Sequence, residues 1–149
     1  MNYPLLLKQL QALLSGENET ISNLANFAAF IFCEIPQLNW AGFYRLQEGE
    51  LVLGPFQGRP ACTRLKKGKG VCWAAVEKGQ TLIVPDVHQF AGHIACDSAS
   101  QSEIVVPIIV RGKLWGVLDI DAPVKNRFST AEQEFFEHAV QILLQNTEL

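Results

Sequence analysis

The sequence lacks any apolar run near the ~18 residues that would span a bilayer, so a membrane-spanning helix is excluded as a reading. It has no excess of positive charge. Twelve Lys and Arg stand against 15 Asp and Glu, a net charge of −3. That balance offers no electrostatic footprint for nucleic acid or for anionic lipid. The opening Met1-Asn2-Tyr3-Pro4 has no basic stretch, and Lys8 interrupts the leucines behind it, so no signal peptide is expected there. No repeat, low-complexity tract or linker divides the chain. Its 4 cysteines are too few for a disulfide scaffold over 149 residues. The expectation is a single cytoplasmic domain, residues 1–149, whose cysteines serve as free thiols, metal ligands or redox groups. Hydrophobic residues make up 48% and charged residues 18%, enough apolar matter for a full core and too little charge for disorder.

Helical spacing of apolar residues predicts a first helix over Tyr3–Leu14, stopped at Ser15-Gly16, and a second over Thr20–Glu34, closed by Pro36. Asn39–Leu46 and Glu50–Leu53 read as strands around Gln47-Glu48-Gly49. Gly54–Lys69, rich in Gly, Pro and Lys, reads as a long loop. Val71–Lys78 is expected as a short helix ended by Gly79, and Thr81–Val84 as a short strand. Pro85–Ser102 is a second loop. Glu103–Val110 and Lys113–Asp121 are β-prone and joined at Arg111-Gly112, a hairpin signal. A terminal amphipathic helix is expected over Thr130–Gln145, capped at Ser129 or Thr130 with Glu132 or Gln133 three residues on. Helices around an antiparallel sheet define an α+β architecture.

The chemistry-bearing residues gather in the loops and the hairpin. Cys33 lies in the apolar run Phe30-Ile31-Phe32-Cys33 and is expected as a small buried hydrophobe. Cys72, in the short helix, also reads as structural. Cys62 and Cys96 occupy the two long loops, where function concentrates. A metal site using Cys62, Cys72, His93 and Cys96 lacks the Cys-x-x-Cys spacing of common zinc centres, and no metal is expected. A nucleophilic Cys96 needs thiolate character, which the adjacent Asp97 opposes unless it points away. Asp119 and Asp121, two apart in a strand, share a face with Val117 and Trp115. Whether Glu103 joins them depends on register. A two-residue turn pairs Val110 with Lys113 and sends Glu103 to the wrong face. A three-residue turn puts it opposite Asp121, and Pro107 hints at a bulge that shifts register. Trp40 and Tyr44, four apart, either wall an apolar pocket with polar tips or belong to ordinary core packing. The three acids are either solvated carboxylates at the ends of the sheet or, if they converge, a cluster in which repulsion raises one pKa and keeps a proton available near neutrality.

An ordered set of motifs then resembles a known family. It comprises Leu53-Gly54-Pro55-Phe56-Gln57-Gly58, Ala61-Cys62, Gly68-Lys69-Gly70-Val71-Cys72 and Asp86-Val87. It continues through Gly92-His93-Ile94-Ala95-Cys96-Asp97, Ser102-Glu103-Ile104-Val105-Val106-Pro107 and Gly116-Val117-Leu118-Asp119-Ile120-Asp121. From about Asn39 to the C-terminal helix the chain is similar to the free methionine-(R)-sulfoxide reductases, enzymes built on a GAF domain. The resemblance implies a GAF-like α+β fold with a central antiparallel sheet of about six strands flanked by helices.

It also implies reduction of free L-methionine (R)-S-oxide to methionine through sulfenic acid and disulfide intermediates. Cys96 would be the catalytic thiol, Cys62 the resolving thiol and Cys72 a secondary one. Glu103, Asp119 and Asp121 would form the acidic part of the substrate site, serving catalysis and binding, with Trp40 and Tyr44 as its aromatic wall. The implied reductant is thioredoxin, no cofactor is bound, and the apolar helices permit a homodimer. Joining Cys62 to Cys96 requires their Cα atoms to approach within roughly 7 Å. The chain departs from the family at Trp73, where Gly is usual, and at Lys69, where Arg is commoner. Two alternatives remain open: a GAF module that binds a small ligand without chemistry, and a metal-bound redox sensor using His93, Cys96 and Cys62.

Overall fold

A computed structural model describes residues 1–93 and 96–149, so Ile94 and Ala95 of the sequence motif lie outside the described residues. The N-terminal helices form where the apolar spacing places them. Helix α1 spans Tyr3–Leu14 and α2 spans Thr20–Glu34. The Asn2 side chain caps α1 by accepting from the Leu5 amide at 3.0 Å, and Pro4 occupies the first turn, where its missing N–H costs nothing. Strands β1 (Trp40–Gln47) and β2 (Glu50–Gly58) form an antiparallel pair. A two-residue strand β3 (Arg64–Leu65) precedes α3 (Gly70–Lys78) and β4 (Leu82–Val84). Strands β5 (Ser102–Val110) and β6 (Lys113–Ala122) make the hairpin, and α4 (Thr130–Asn146) ends the fold. Both elements of the expected capping box at α4 are present, through Ser129 and Glu132.

The strands form one antiparallel sheet of six in the order β3-β2-β1-β6-β5-β4. Alternation along each strand builds two apolar layers. Ala41, Phe43, Ile104, Val106, Ile108, Leu118 and Ile120 face α1, α2 and α4. Trp40, Tyr44, Val105 and Val117 face the other way, toward α3 and its flanking loops. The acidic residues of β5 and β6 fall on this second face. No helix among the described residues is long and apolar enough to cross a membrane.

Three expectations are corrected. The loop predicted from Gly54 begins later, because β2 runs on to Gly58, which pairs with Trp40. Pro55 is tolerated inside it because the outer neighbour β3 pairs only with Leu51 and Val52, leaving one side of β2 unpartnered further along. Cys33 is exposed rather than buried. The buried side of α2 runs through Leu24, Phe27, Ala28 and Ile31, and two residues past Ile31 is roughly 200° around the helix. Trp115 does not share the face of Asp119. It packs among the helix-side residues, with its ring edge-on to Phe43 at 6.3 Å.

The reason for the Trp115 reversal also settles the register. The turn has two residues, Arg111 and Gly112, with φ of 49° and 76°, the positive pair that the tight hairpin turn demands. Val110 accordingly pairs with Lys113 and Ile109 with Leu114, but Ile108 pairs with Gly116. Trp115 is the extra residue of a β-bulge. It adds one position to β6 and reverses the facing of everything beyond it. Glu103 therefore lies opposite Asp121, although the turn is the short one.

Candidate active site

Strands β1, β5 and β6 bring the acidic and aromatic residues together. Asp121 sits between Glu103 on β5 and Trp40 on β1, and Asp119 pairs with Gly42 across β1. The missing side chain of Gly42 makes room for Phe56 and the Trp40 ring. A Cβ there would lie 2.3 Å from the Phe56 Cβ and 2.9 Å from Cη2 of Trp40. Trp40 and Tyr44 are both 2% exposed and stack with ring centroids 5.8 Å apart, and Phe56 stacks on Trp40 at 5.2 Å. Their polar tips are occupied. The Tyr44 hydroxyl donates to the Cys62 carbonyl at 2.8 Å, and Nε1 of Trp40 donates to the Arg59 carbonyl at 3.1 Å. Both residues border a cavity of about 40 Å³ that also reaches Cys72, Cys96 and the three acids.

The electrostatics of the cavity follow from crowding three carboxyls away from water. Glu103 and Asp119 are each 6% exposed. Burial pushes the Glu103 carboxyl well above the usual range, and the charge of Asp119 pushes it further. Burial likewise raises Asp121 well above the usual range, and the charge of Asp119 adds to it. Asp119 is raised by burial but held back by hydrogen bonds from Glu103 and from the Cys72 thiol, so it is the member that ionises most readily. Its Oδ1 is buried and has no hydrogen-bond partner. Of the three, Asp119 is thus the readiest to carry charge, with an unused acceptor, while Glu103 and Asp121 hold their protons to higher pH than ordinary carboxyls do.

Cys62 and Cys96 are joined in a disulfide, their Cα atoms 5.6 Å apart across 34 residues of sequence. The approach required of the two loops is met. Cys72 is buried, and burial, then the charge of Asp119, raises its thiol well above the ordinary value, which makes it a poor nucleophile. His93 places Nε2 3.7 Å from Oε1 of Glu103, and its own burial lowers its pKa, so this is a contact with a neutral ring. The metal-sensor alternative needs Cys62, Cys96 and His93 as ligands, and two of those donors are bonded to each other here. Cys72, Glu103 and Asp119 do bring donor atoms within 4.8 Å, a set that could hold a cation inside the same cavity.

Two residues that support the site from outside the cavity were not visible in the sequence as functional. Asn39 precedes β1 and donates through Nδ2 to Oδ2 of Asp97 and to Oγ of Ser100, both at 3.0 Å. It ties the Cys96 loop to the sheet and engages Asp97, the charge adjacent to that cysteine. Trp73, 4% exposed, donates from Nε1 to the Leu65 carbonyl at 2.8 Å. An asparagine before a strand and a tryptophan in a short helix carry no motif. Only the tertiary hydrogen bonds reveal them.

The fold and cavity define a small α+β domain with a buried acidic and aromatic pocket, and comparison supplies its kinship. The GAF domain family matches residues 17–144, and the chain belongs to that family. It is 47% identical over 127 residues to the free methionine-R-sulfoxide reductase of Escherichia coli strain K12, covering 85% of this chain and 77% of that protein. It is 51% identical over 144 residues to protein YtsP of Bacillus subtilis strain 168, covering 95% of this chain and 88% of that one. Among solved structures, fRMsr of Staphylococcus aureus in complex with substrate is 50% identical and superposes with a TM-score of 0.92. That match covers 97% of this chain and 95% of the other.

Proposed function

We propose that this chain reduces free methionine (R)-sulfoxide to methionine, with Cys96 as the attacking thiol and Cys62 as the thiol that resolves it. The observation that carries this reading is the Cys62–Cys96 bond, whose Cys96 lines the same cavity as Asp119 and as Glu103 and Asp121, the two carboxyls raised well above the usual range. Kinship to proteins named free methionine-R-sulfoxide reductase supports the substrate. With the disulfide closed the cavity holds about 40 Å³, far below an ordinary ligand site, so substrate enters the reduced protein.

A sulfoxide sulfur is electrophilic, but its oxygen leaves only when protonated. The Cys96 thiolate attacks sulfur while Glu103 or Asp121 gives its proton to oxygen. The protonated oxygen then passes to the Cys96 sulfur as the S–O bond of the substrate and the transient bond between the two sulfurs break; methionine departs with the electron pair, and Cys96 is left as a sulfenic acid. The Cys62 thiol then attacks the Cys96 sulfur, forming the disulfide and releasing the oxygen as water. Two thiols lose two electrons and the sulfoxide gains them. A dithiol donor of the thioredoxin type restores the thiols by exchange. The Asp119 carboxylate, with its unpaired Oδ1, receives the substrate ammonium. A peptide-bound methionine lacks that ammonium, which accounts for a preference for the free amino acid. Trp40 and Tyr44 enclose the thioether end.

Replacing Cys96 with Ser tests the assignment, because the variant keeps the cavity and loses the nucleophile. Sulfoxide consumption should fall to background. Retained consumption would instead favour a ligand-binding module in which the cysteines are dispensable.

A further inference from the structure

The segment that carries Cys62 is held in an unusual way. Its carbonyls at residues 59, 62 and 65 each accept a hydrogen bond from an aromatic side chain of another element. Trp40 of β1 donates to Arg59 at 3.1 Å, Tyr44 of β1 to Cys62 at 2.8 Å, and Trp73 of α3 to Leu65 at 2.8 Å. The Thr63 carbonyl receives a fourth bond, from the Leu53 amide at 2.9 Å. The three ring donors are buried, two on the sheet and one on the helix across from it. A backbone gripped at every third carbonyl by rigid rings has little freedom to reorient, so the Cys62 side chain leaves a fixed base. Among the described residues, the segment after Cys96 makes turns of its own from Asp97 to Ala99 and Ser100 and is tied to the sheet by the Asn39 side chain and by the Gln101 amide, which donates to the Ala122 carbonyl; none of these bonds comes from an aromatic ring.

We infer that this three-ring clamp preorganises Cys62 for bonding to Cys96, and that Trp73 is a positioning residue for that step. Trp73 does not line the cavity. It acts by fixing the C-terminal end of the clamped segment, where Tyr44 fixes the cysteine itself. The inference rests on the redox role proposed for the pair, but its test does not require the sulfoxide reaction. Formation of the bond from two thiols releases two electrons and two protons. With oxidised dithiothreitol as partner these open its S–S bond and leave two thiols on it.

Equilibration of the folded protein against reduced and oxidised dithiothreitol gives the stability of the Cys62–Cys96 bond directly, read by thiol alkylation and peptide mapping. Trp73→Phe removes the N–H. It should shift the equilibrium toward the dithiol by roughly fivefold or more, the worth of one buried hydrogen bond. Replacing Trp73 with β-(3-benzothienyl)alanine keeps the bicyclic ring and its volume while removing the donor. It should reproduce the shift, and it serves where Phe leaves a cavity too large for the fold. A lower thermal midpoint with an unchanged thiol equilibrium in both variants would overturn the inference and make Trp73 merely structural. Rapid quench of the reduced protein with free methionine (R)-sulfoxide separates this from the functional proposal. Methionine release in Trp73→Phe should stay within twofold of the parent, while the sulfenic acid on Cys96, trapped with dimedone, lives roughly five times longer. Absence of methionine release from the parent itself would overturn the proposed function and leave the clamp to be judged by the equilibrium alone.

Discussion

Burial raises the Asp119 carboxyl, and hydrogen bonds from Glu103 and the Cys72 thiol hold that rise back. This arrangement assigns charge within the cluster. Asp119 carries the negative charge and Glu103 and Asp121 keep protons into a range where ordinary carboxyls have lost them. Two outcomes follow at the level of single residues. Asp121→Asn should lower turnover at neutral pH by at least about tenfold, a modest figure for proton transfer by a positioned acid. In the parent, turnover limited by proton delivery should decline as pH rises through the raised pKa, and steady-state assays across pH 5–9 would show both effects. An unchanged rate would remove Asp121 from the proton path. Glu103→Gln should change stability in a direction that depends on pH. A carboxyl whose pKa is higher folded than unfolded favours the fold fully below the unfolded value, and that contribution is lost as pH rises through the folded value. Glutamine does not ionise. Denaturant midpoints of Glu103→Gln should therefore gain on the parent with increasing pH, and a parallel offset at all pH values would contradict the raised pKa.

At the level of elements, the site depends on two irregularities in otherwise regular strands. The bulge at Trp115 sets Glu103 against Asp121, and Gly42 lets Phe56 and the Trp40 ring pack closely over β1. Gly42→Ala places a methyl inside contact distance of Phe56 and Trp40, and the clash involves backbone as well as side chain, since Cα of Phe56 lies only 2.8 Å away. Overpacking of this kind costs roughly 1–3 kcal/mol. The variant should show that loss in urea melts and a raised KM, and a neutral effect on both would mean that the aromatic wall yields. Most elements were legible in the sequence. Helices α1 and α2 announce themselves by apolar period and stop signals, and α4 by its capping box. The bulge was not legible. A two-residue turn alone pairs Glu103 with Ile120, and the corrective insertion lies where nothing local marks it except Pro107 nearby. Its cause is tertiary: Trp115 joins the helix-side layer against Phe43, and β6 accommodates it. The extension of β2 through Pro55 was hidden for a similar reason. A proline is compatible with a strand once that strand's other side lacks a neighbour, and neighbours are not written locally. Cys33 shows the limit of composition: an apolar tripeptide before it suggested burial, while the helical angle put it outside.

At the level of the whole molecule, the sheet separates two tasks. One face, packed on α1, α2 and α4, supplies the larger apolar layer, and the other, packed on α3 and two loops, holds the charges and sulfurs. That division lets buried acids persist without interrupting the principal core. Cys62, Cys96, Glu103, Asp119 and Asp121 were readable in the sequence because each has a reactive side chain in one of the quoted motifs, and Trp40 and Tyr44 because their even spacing puts two amphipathic rings on one face of a strand. Their convergence was not readable by spacing, since it depends on strand order β2-β1-β6-β5 and on loops that meet only in three dimensions. The supporting bonds of Asn39 and Trp73 were invisible for the same reason. The central claim concerns what this convergence accomplishes. Fully reduced protein, mixed anaerobically with a stoichiometric amount of each resolved epimer of free methionine sulfoxide, tests it most directly when methionine release and thiol loss are counted together. The account predicts one methionine and two lost thiols per chain from the R epimer, with the lost pair mapped to Cys62 and Cys96. Methionine formed without thiol loss, or thiols lost at Cys72 or Cys33 while Cys96 stays reduced, would contradict it.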